Sequence, residues 1–352
     1  MRILLIGEFS GVHFNLRREL LALGHYVKLG SDGDSYRKLE SDFKLAPFKG
    51  RLIGRTLNLL YFMINIRKFI GYDVIQFISP FAIPYHFHFF GITRILFKLN
   101  NRKIYYACGT DPAYMSTKDQ FRYFPLDGRS SPTEYYPSYN KLSMTYYNWF
   151  INNVTKIVPS MYSYYLGYKK NSKVTSQIPL PGGNKIGEAK VIARDAKIKI
   201  LFGITRRDFK GSKFIVQALD RVRKVFSDKV EIIIVEHLAL KEYLDYLKEA
   251  DILIDQCKSY DYGMNAIFGM QNGCIVLSGF EKEAISYSRF KGCPIINITP
   301  SADDIFDKIE SICMLKKEKI VDLKKQSLFF VKENHSAKQI AESFIKLYQN
   351  SI

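Results

Sequence analysis

The sequence predicts an α/β protein of two domains, each a parallel sheet joined by crossover helices. Three observations carry this. The chain opens as strand, glycine-flanked loop, helix and strand at residues 2–6, 7–11, 13–23 and 25–29. A second series of the same kind starts at residue 198, and its clearest part is ADILIDQCKSYDYGMNAIFGMQNGCIVLSG, residues 250–279. Between them IPLPGGNKIG, residues 178–187, is rich in Pro and Gly and reads as a junction. At 352 residues the chain is long enough for two domains of ordinary size.

Taken in order, residues 2–6 form a buried strand and 13–23 an amphipathic helix capped by Gly24, a Rossmann-like β-α-β start. Residues 51–69 (RLIGRTLNLLYFMINIRKF) are helical, strongly apolar and edged by Arg51, Arg55, Arg67 and Lys68. Strand three is 73–78. Residues 84–99 (PYHFHFFGITRILFKL) make a second apolar-basic helix, and 103–107 make strand four, ending at Gly109-Thr110-Asp111. Residues 110–138 are polar and aromatic and exceed the usual connection length of about 12–15 residues, which suits a lid. Helix 139–153, strand 155–158 and a helix opened by Pro159-Ser160-Met161-Tyr162 precede the junction. The second half gives strand 198–203, helix 211–226, strand 230–235, helix 239–249, the 250–279 stretch, strand 294–298, a helical stretch 305–331 and a final helix 335–348.

Composition narrows the function. Hydrophobic residues make up 47% and aromatic residues 14%, which indicates a globular chain. The net charge is +18, and residues 1–180 carry 24 Lys and Arg against 11 Asp and Glu, a balance of +13. No apolar run reaches the ~20 residues of a membrane span, and MRILLIGEFSG reads as a strand rather than a signal peptide. The expected location is therefore the cytoplasm, peripherally on the inner face of a membrane. An anionic bilayer suits the basic-edged helices at 51–69 and 84–99. The five cysteines are scattered and read as reduced. His86 and His88 fall on different helix faces without further ligands, so lining or packing suits them better than a metal. The charge admits a nucleic-acid binder, but no module of that kind is recognisable.

The chemistry concentrates in the second half. In 250–279 an apolar strand ends at Asp255, a polar loop follows, and Gly263 opens a helix with Gly273 as its C-terminal stop. A helix N-terminus just past a parallel strand presents free N–H groups and the positive end of a dipole, which suits a phosphate. An ordinary crossover helix with a glycine at its start is the other reading. Upstream, the strand 198–203 is followed by ITRRDFKG, which brings Arg206, Arg207 and Lys210 to the same strand ends.

This pair of segments resembles the nucleotide-sugar half of GT-B glycosyltransferases of the family-4-like retaining type. In that family an Arg and a Lys in G-R-x-x-x-x-K-G bind the donor diphosphate. A later E-G-F-G-x-x-x-x-E-A-M-A-x-G supplies backbone amides and two glutamates. Lys210-Gly211 fits the first motif, with Arg206 one residue and Arg207 two residues out of register. Gly263, Met270 and Gly273 fit the second, where Tyr260 and Phe268 stand at the glutamate positions. Asp255-Gln256 resembles a D-Q variant found in a subset of these enzymes, and Asp261 is the nearest substitute acceptor for ribose hydroxyls. The N-terminal β-α-β and V-P-S-x-Y at 158–162 are also similar to the family, and Gly109-Thr110-Asp111 resembles a motif near its sugars. Two readings of Asp111 stay open, a cleft carboxylate or a cap of the next turn. Two also stay open for Gly7 and Gly11, a cleft-facing loop or a tight turn.

The resemblance implies two Rossmann-like domains facing across a cleft. They are an acceptor-binding domain at 1–180, a linker at 181–196, a nucleotide-sugar domain at 197–334, and a helix at 335–352 that crosses back. It implies transfer of a sugar, with retention, from a nucleotide-diphosphate sugar to a glycan or lipid-linked acceptor in bacterial surface polysaccharide synthesis. Arg206, Lys210 and Asp111 are the expected catalytic residues. Arg207, Asp255, Gln256, Asp261, Tyr262, Gly263, Met264 and Asn265 are the expected donor-binding residues, and Lys210 is expected as an exposed loop cation. No cofactor or metal is expected, because protein cations serve the diphosphate. The absent glutamates favour an alternative, a non-catalytic partner that binds a nucleotide or glycan.

Overall fold

The computed structural model describes residues 1–350 apart from 35, 36, 38, 51, 128–139, 184, 194, 289 and 291. The chain divides into two compact units. One holds residues 1–116, the described part of 129–181, and the chain from Ala337 on; the other holds 117–127 and Gly182–Ser336.

The first unit is a five-stranded parallel sheet of β1 (Arg2–Ile6), β2 (Tyr26–Gly30), β3 (Val74–Phe77), β4 (Arg102–Ala107) and β5 (Lys156–Pro159), in the order β2-β1-β3-β4-β5. Its crossover helices are α1 (Val12–Ala22), α2 (Ile53–Ile64), α3 (Ile92–Lys98), α4 (Pro112–Met115) and α5 (Lys141–Asn153), and α6 (Tyr162–Tyr168) follows β5. Strands covered on both faces must be apolar throughout, and Leu4, Ile6, Ile75, Phe77 and Tyr105 are fully buried. Aromatic rings fill the space beneath them: Phe77, Phe97 and Phe150 contact one another with centroids 5.1–5.6 Å apart.

The final helix, Ala337–Gln349, packs in this unit beside α1. A buried polar chain fixes it there. Tyr348 donates to Gln76 Oε1 (2.7 Å), Gln76 Nε2 lies 3.2 Å from His13 Nε2, and His13 Nδ1 lies 2.8 Å from the Gly7 carbonyl. Burial pushes the His13 pKa down to about 4, so the ring is neutral. It donates from Nδ1 and accepts at Nε2.

The second unit repeats the plan. β6 (Ile198–Ile204), β7 (Val230–Glu236), β8 (Ile252–Ile254), β9 (Ile275–Ser278) and β10 (Ile296–Asn297) are parallel in the order β10-β9-β8-β6-β7. Its helices are α7 (Arg207–Lys210), α8 (Ser212–Val225), α9 (Leu240–Glu249), α10 (Met264–Gln271), α11 (Lys282–Ser288), α12 (Ala302–Cys313) and α13 (Lys317–Asn334). Counted from its own first strand, each sheet runs second, first, third, fourth, fifth. The order therefore reverses between β1 and β3, and between β6 and β8, where ligands collect in open α/β sheets.

Several expected elements are shorter than their apolar pattern. The helix expected over 51–69 ends at Ile64, where Asn65 turns its amide onto the Tyr61 carbonyl (2.8 Å), and a 3₁₀ turn follows at Ile66–Lys68. The helix expected over 84–99 is broken by Gly91 at φ +75°, with a 3₁₀ turn Tyr85–Phe90 before it and α3 after. The stretch 305–331 divides into α12 and α13. Of the 110–138 segment expected as a lid, residues 112–115 are α4, 117–127 group with the second unit, and 128–138 lie outside the described residues.

In the β1–α1 loop, Gly7 (φ +84°) and Gly11 (φ +88°) take the left-handed conformation. A side chain at Gly7 would collide with Ala82 and Ile78, so the tight-turn reading accounts for this glycine. Between them Glu8 is buried and accepts from the Gly11 and Phe14 N–H groups (2.9 and 2.7 Å), closing the start of α1. Burial pushes its pKa to about 8, against the opposing pull of those N–H groups. The folded state then holds a proton that the unfolded chain releases above the ordinary glutamate value. The stability this confers is complete below pH ~4.5 and is lost as pH rises toward 8. Wild type should therefore lose stability relative to Glu8→Gln by roughly 1.4 kcal/mol per pH unit across that window. Thermal unfolding of both proteins from pH 5 to 8 checks this, and parallel curves would contradict it.

Candidate functional site

β6 ends at Ile204 and the chain turns at once into α7. Arg206 and Arg207 are exposed there, whereas Lys210 is 7% exposed. Gly211, at φ +76°, sends the chain from α7 into α8, and a side chain at this position would overlap Cys257 Sγ. Glycine is needed on both counts. The turn delivers Lys210 beneath the end of β8, where its carbonyl accepts from the Cys257 N–H (3.0 Å).

Asp255 follows β8 directly and is buried. Lys210 Nζ lies 2.9 Å from its Oδ1, Asn265 Nδ2 donates to the same oxygen (2.9 Å), and Ser278 Oγ donates to Oδ2 (3.3 Å). Burial alone would raise this carboxyl. The Lys210 ammonium and the Asn265 and Ser278 donors outweigh burial and hold it below the usual range. The pair thus adds stability above the unfolded aspartate pKa, near 4, and that contribution is lost as pH falls. The expectation of an exposed loop cation at Lys210 is corrected: the sequence shows the Lys-Gly turn but not the carboxylate 45 residues away that draws the ammonium inward. Among the described residues Asp255 is the one hydrogen-bond partner of Nζ, so two of its three donors remain for a ligand.

Three residues from the same strand ends flank this pair. The Arg206 guanidinium lies over the Phe209 ring, 3.8 Å from its centroid, a cation–π contact. Arg207 pairs with Glu236 on the neighbouring strand (2.7 Å). Gly263 precedes α10, whose first turn has no side-chain cap, and a Cβ built at Gly263 meets no atom within 4 Å. Asn265, one residue into that helix, bonds Asp255, so the carboxylate ties the helix start to Lys210.

The loop between Asp255 and α10 is held from inside. Gln256 Nε2 donates to the Asp261 carbonyl (2.9 Å), and the Gly279 N–H donates to the Gln256 carbonyl (2.8 Å). Gly279 must be glycine because a Cβ there would overlap the Ser259 carbonyl oxygen. Asp261 and Met264 are buried. Tyr262, expected to bind donor, packs instead among Phe280, Phe330 and His335, with its hydroxyl 2.7 Å from His335 Nε2. Tyr260 and Phe268, at the two glutamate positions, are buried.

One partner of this loop escaped the sequence. Residues 117–127 lie on the second unit, where the Tyr260 hydroxyl accepts from Arg122 N and Nε (2.9 and 3.1 Å). The carboxylate of Glu281, buried after β9, accepts from Arg122, Tyr123 and Asn297. No spacing signal in the sequence joins residues 122 and 281.

In the first unit Asp111 is fully buried. It accepts from the Tyr114 N–H (2.8 Å), the Tyr168 hydroxyl (2.6 Å) and the Tyr105 hydroxyl. Of the two readings left open it is the cap, at the start of α4. The expected catalytic role is corrected: its lone pairs face the interior. His88 bonds Thr93 (3.0 Å) and packs on Trp149, so packing is its role. Among the described residues no group of three His, Cys, Asp or Glu side chains is placed to hold a metal ion, and no helix is long and apolar enough to cross a membrane.

No protein-family model matches the chain, and no curated protein matches it in sequence. Its structure is similar to many solved ones. A glycosyltransferase from Rickettsia africae is 14% identical with a TM-score of 0.59, over 99% of this chain and 97% of that one. Anabaena HepE in complex with UDP and glucose is 12% identical with a TM-score of 0.60, over 99% and 100%. WaaG, a glycosyltransferase of lipopolysaccharide biosynthesis, is 11% identical with a TM-score of 0.63, over 99% and 100%. The likeness shows the fold: two Rossmann-like domains of the GT-B type.

Removing one partner of a buried ion pair leaves an uncompensated charge, at a cost of about 3–5 kcal/mol. Lys210→Ala should therefore destabilise the second unit by about 3 kcal/mol. Lys210→Met combined with Asp255→Asn should cost less than the two single changes summed. Urea midpoints of wild type, Lys210→Ala, the two single changes and the double variant measure this. A loss under about 0.5 kcal/mol for Lys210→Ala, the range of an ordinary surface position, would contradict the pairing.

Proposed function

We propose that this chain is a glycosyltransferase that moves a sugar from a nucleoside-diphosphate sugar to an acceptor hydroxyl. One observation carries the reading. At the β6/β8 switch point an ammonium with donors to spare and an uncapped helix start meet on Asp255, and the exposed Arg206 guanidinium stands four residues before that ammonium in the turn after β6. A diphosphate is the anion this suits, because it has several oxygens for several donors and gains charge as the sugar leaves. Lys210 and Arg206 would neutralise the leaving diphosphate, and the Met264 and Asn265 amides would add to it. Arg207, already paired, would act at longer range. HepE is held with UDP and glucose, which makes UDP-glucose the first donor to try. Acceptors of the glycan or lipid-linked kind, retention of configuration and a role in surface polysaccharide synthesis complete the reading. WaaG's part in lipopolysaccharide biosynthesis supports that last element.

The second reading is a nucleotide- or glycan-binding partner without turnover. Its specific support is that Tyr260 and Phe268 are buried where the resembling family carries glutamates. Binding and turnover separate the two readings.

Under the first, Arg206→Ala, at an exposed position, should leave the fold intact and lower turnover by about 10²-fold. Lys210→Met should lower it by about 10²–10³-fold. Turnover should also persist in EDTA, since protein cations serve the diphosphate. UDP affinity and UDP-sugar consumption of purified protein check this. UDP binding without consumption would establish the second reading. Unchanged UDP affinity and turnover in both variants would overturn the site.

A further inference from the structure

The first unit carries an apolar helix face that its own core does not use. The inner side of α2 is anchored: Gly54, Asn58 and Phe62 are buried, Asn58 bonds both N–H and C=O of Phe48 (2.9 Å each), and Phe62 packs on Phe69 and Phe87. The outer side is aliphatic. Ile53, Leu57, Leu60 and Ile64 recur at i, i+4, i+7 and i+11, one stripe of a 3.6-residue helix. Ile53 is 77% exposed and Ile64 81%, and Leu52 and Met63 beside them are exposed as well.

Charge surrounds this stripe with one sign. Residues 43–72 contain no Asp or Glu. Lys49, Arg55, Arg67 and Lys68 are exposed, and among the described residues none of the four makes an ion pair. Water is a poor solvent for such an aliphatic row, and contiguous apolar surface of this kind marks an interaction site.

We infer that α2 is an interfacial helix that lies in the surface of an anionic lipid bilayer. The stripe would enter the headgroup–acyl boundary while the cations stay at the phosphate level, their methylene stems along the apolar surface. The charge selects this occupant. A second copy of the chain would bring the same cations face to face. A nucleic acid would meet the cations and leave the aliphatic row in water. A negatively charged bilayer matches both features at once. This inference does not rest on sugar transfer, so either reading can fail alone.

Flotation of the full chain tests it, with phosphatidylcholine vesicles against vesicles that also contain phosphatidylglycerol. The chain should bind the anionic vesicles and bind less as salt rises. Arg67→Gln with Lys68→Gln should weaken binding by about thirtyfold, on the usual contribution per cation at a membrane surface. Ile53→Ser with Ile64→Ser should weaken it at least tenfold with an unchanged thermal midpoint, because both side chains are exposed. Equal binding to both vesicles, or wild-type binding by the Ile53/Ile64 variant, would overturn the inference. So would self-association that this variant abolishes in a chain that ignores vesicles.

Discussion

The second unit depends on one interaction, the buried pair of Lys210 and Asp255. Two charges removed from water must repay several kcal/mol of lost hydration each, and they do so only in good geometry with their remaining lone pairs satisfied. Asp255 meets that condition through Asn265 and Ser278. The consequence is positional. Lys210 follows β6, Asp255 follows β8, Asn265 lies in the first turn of α10 and Ser278 ends β9, so one carboxylate ties three strand ends and a helix start at a single point. β8 is held at its other end by a second buried pair, Lys324 with Asp251 (2.7 Å), and Asp251 also accepts from the Lys199 N–H. A short central strand with a satisfied ion pair at each end has one register and one height in the sheet. The switch point on which the proposed chemistry rests is rigid for that reason.

That rigidity bears on catalysis. A cation already ordered by Asp255 needs little reorganisation when charge builds on a leaving diphosphate, and such preorganisation is where enzymes gain most. The same carboxylate also tempers the charge that Lys210 offers. Arg206 carries the complementary property: it is exposed, stacked on Phe209, and has no carboxylate against it among the described residues. One group is buried against a carboxylate, and the other is exposed on an aromatic ring.

Much of this was legible in the chain, and the residues show where legibility stops. Buried parallel strands announce themselves as continuous apolar runs, so ILI before Asp255 and IKILFG before the Arg-Arg turn fixed both sides of the switch point. Helix limits were less readable, because single residues such as Asn65 and Gly91 end a helix whose apolar pattern continues past them. Side-chain fates depended on partners far off in sequence. Lys210 looked like a loop cation until Asp255 was placed beside it, and Tyr262 looked like a ligand-facing residue until His335 took its hydroxyl. Asp111 was readable as a cap from its own neighbourhood, Asp-Pro at a helix start, and the two tyrosines that complete its burial were not. The strap at Arg122 and Tyr123 carried no local signal, since Glu281 and Tyr260 give it meaning only through the fold.

The most direct measurement is a crystal structure of the chain with UDP bound. The diphosphate should lie at the carboxyl ends of β6 and β8, with Lys210 Nζ and the Met264 and Asn265 amides within about 3 Å of its oxygens and the Lys210–Asp255 pair intact. A diphosphate bound elsewhere on the chain, with Lys210 facing only Asp255, would contradict it.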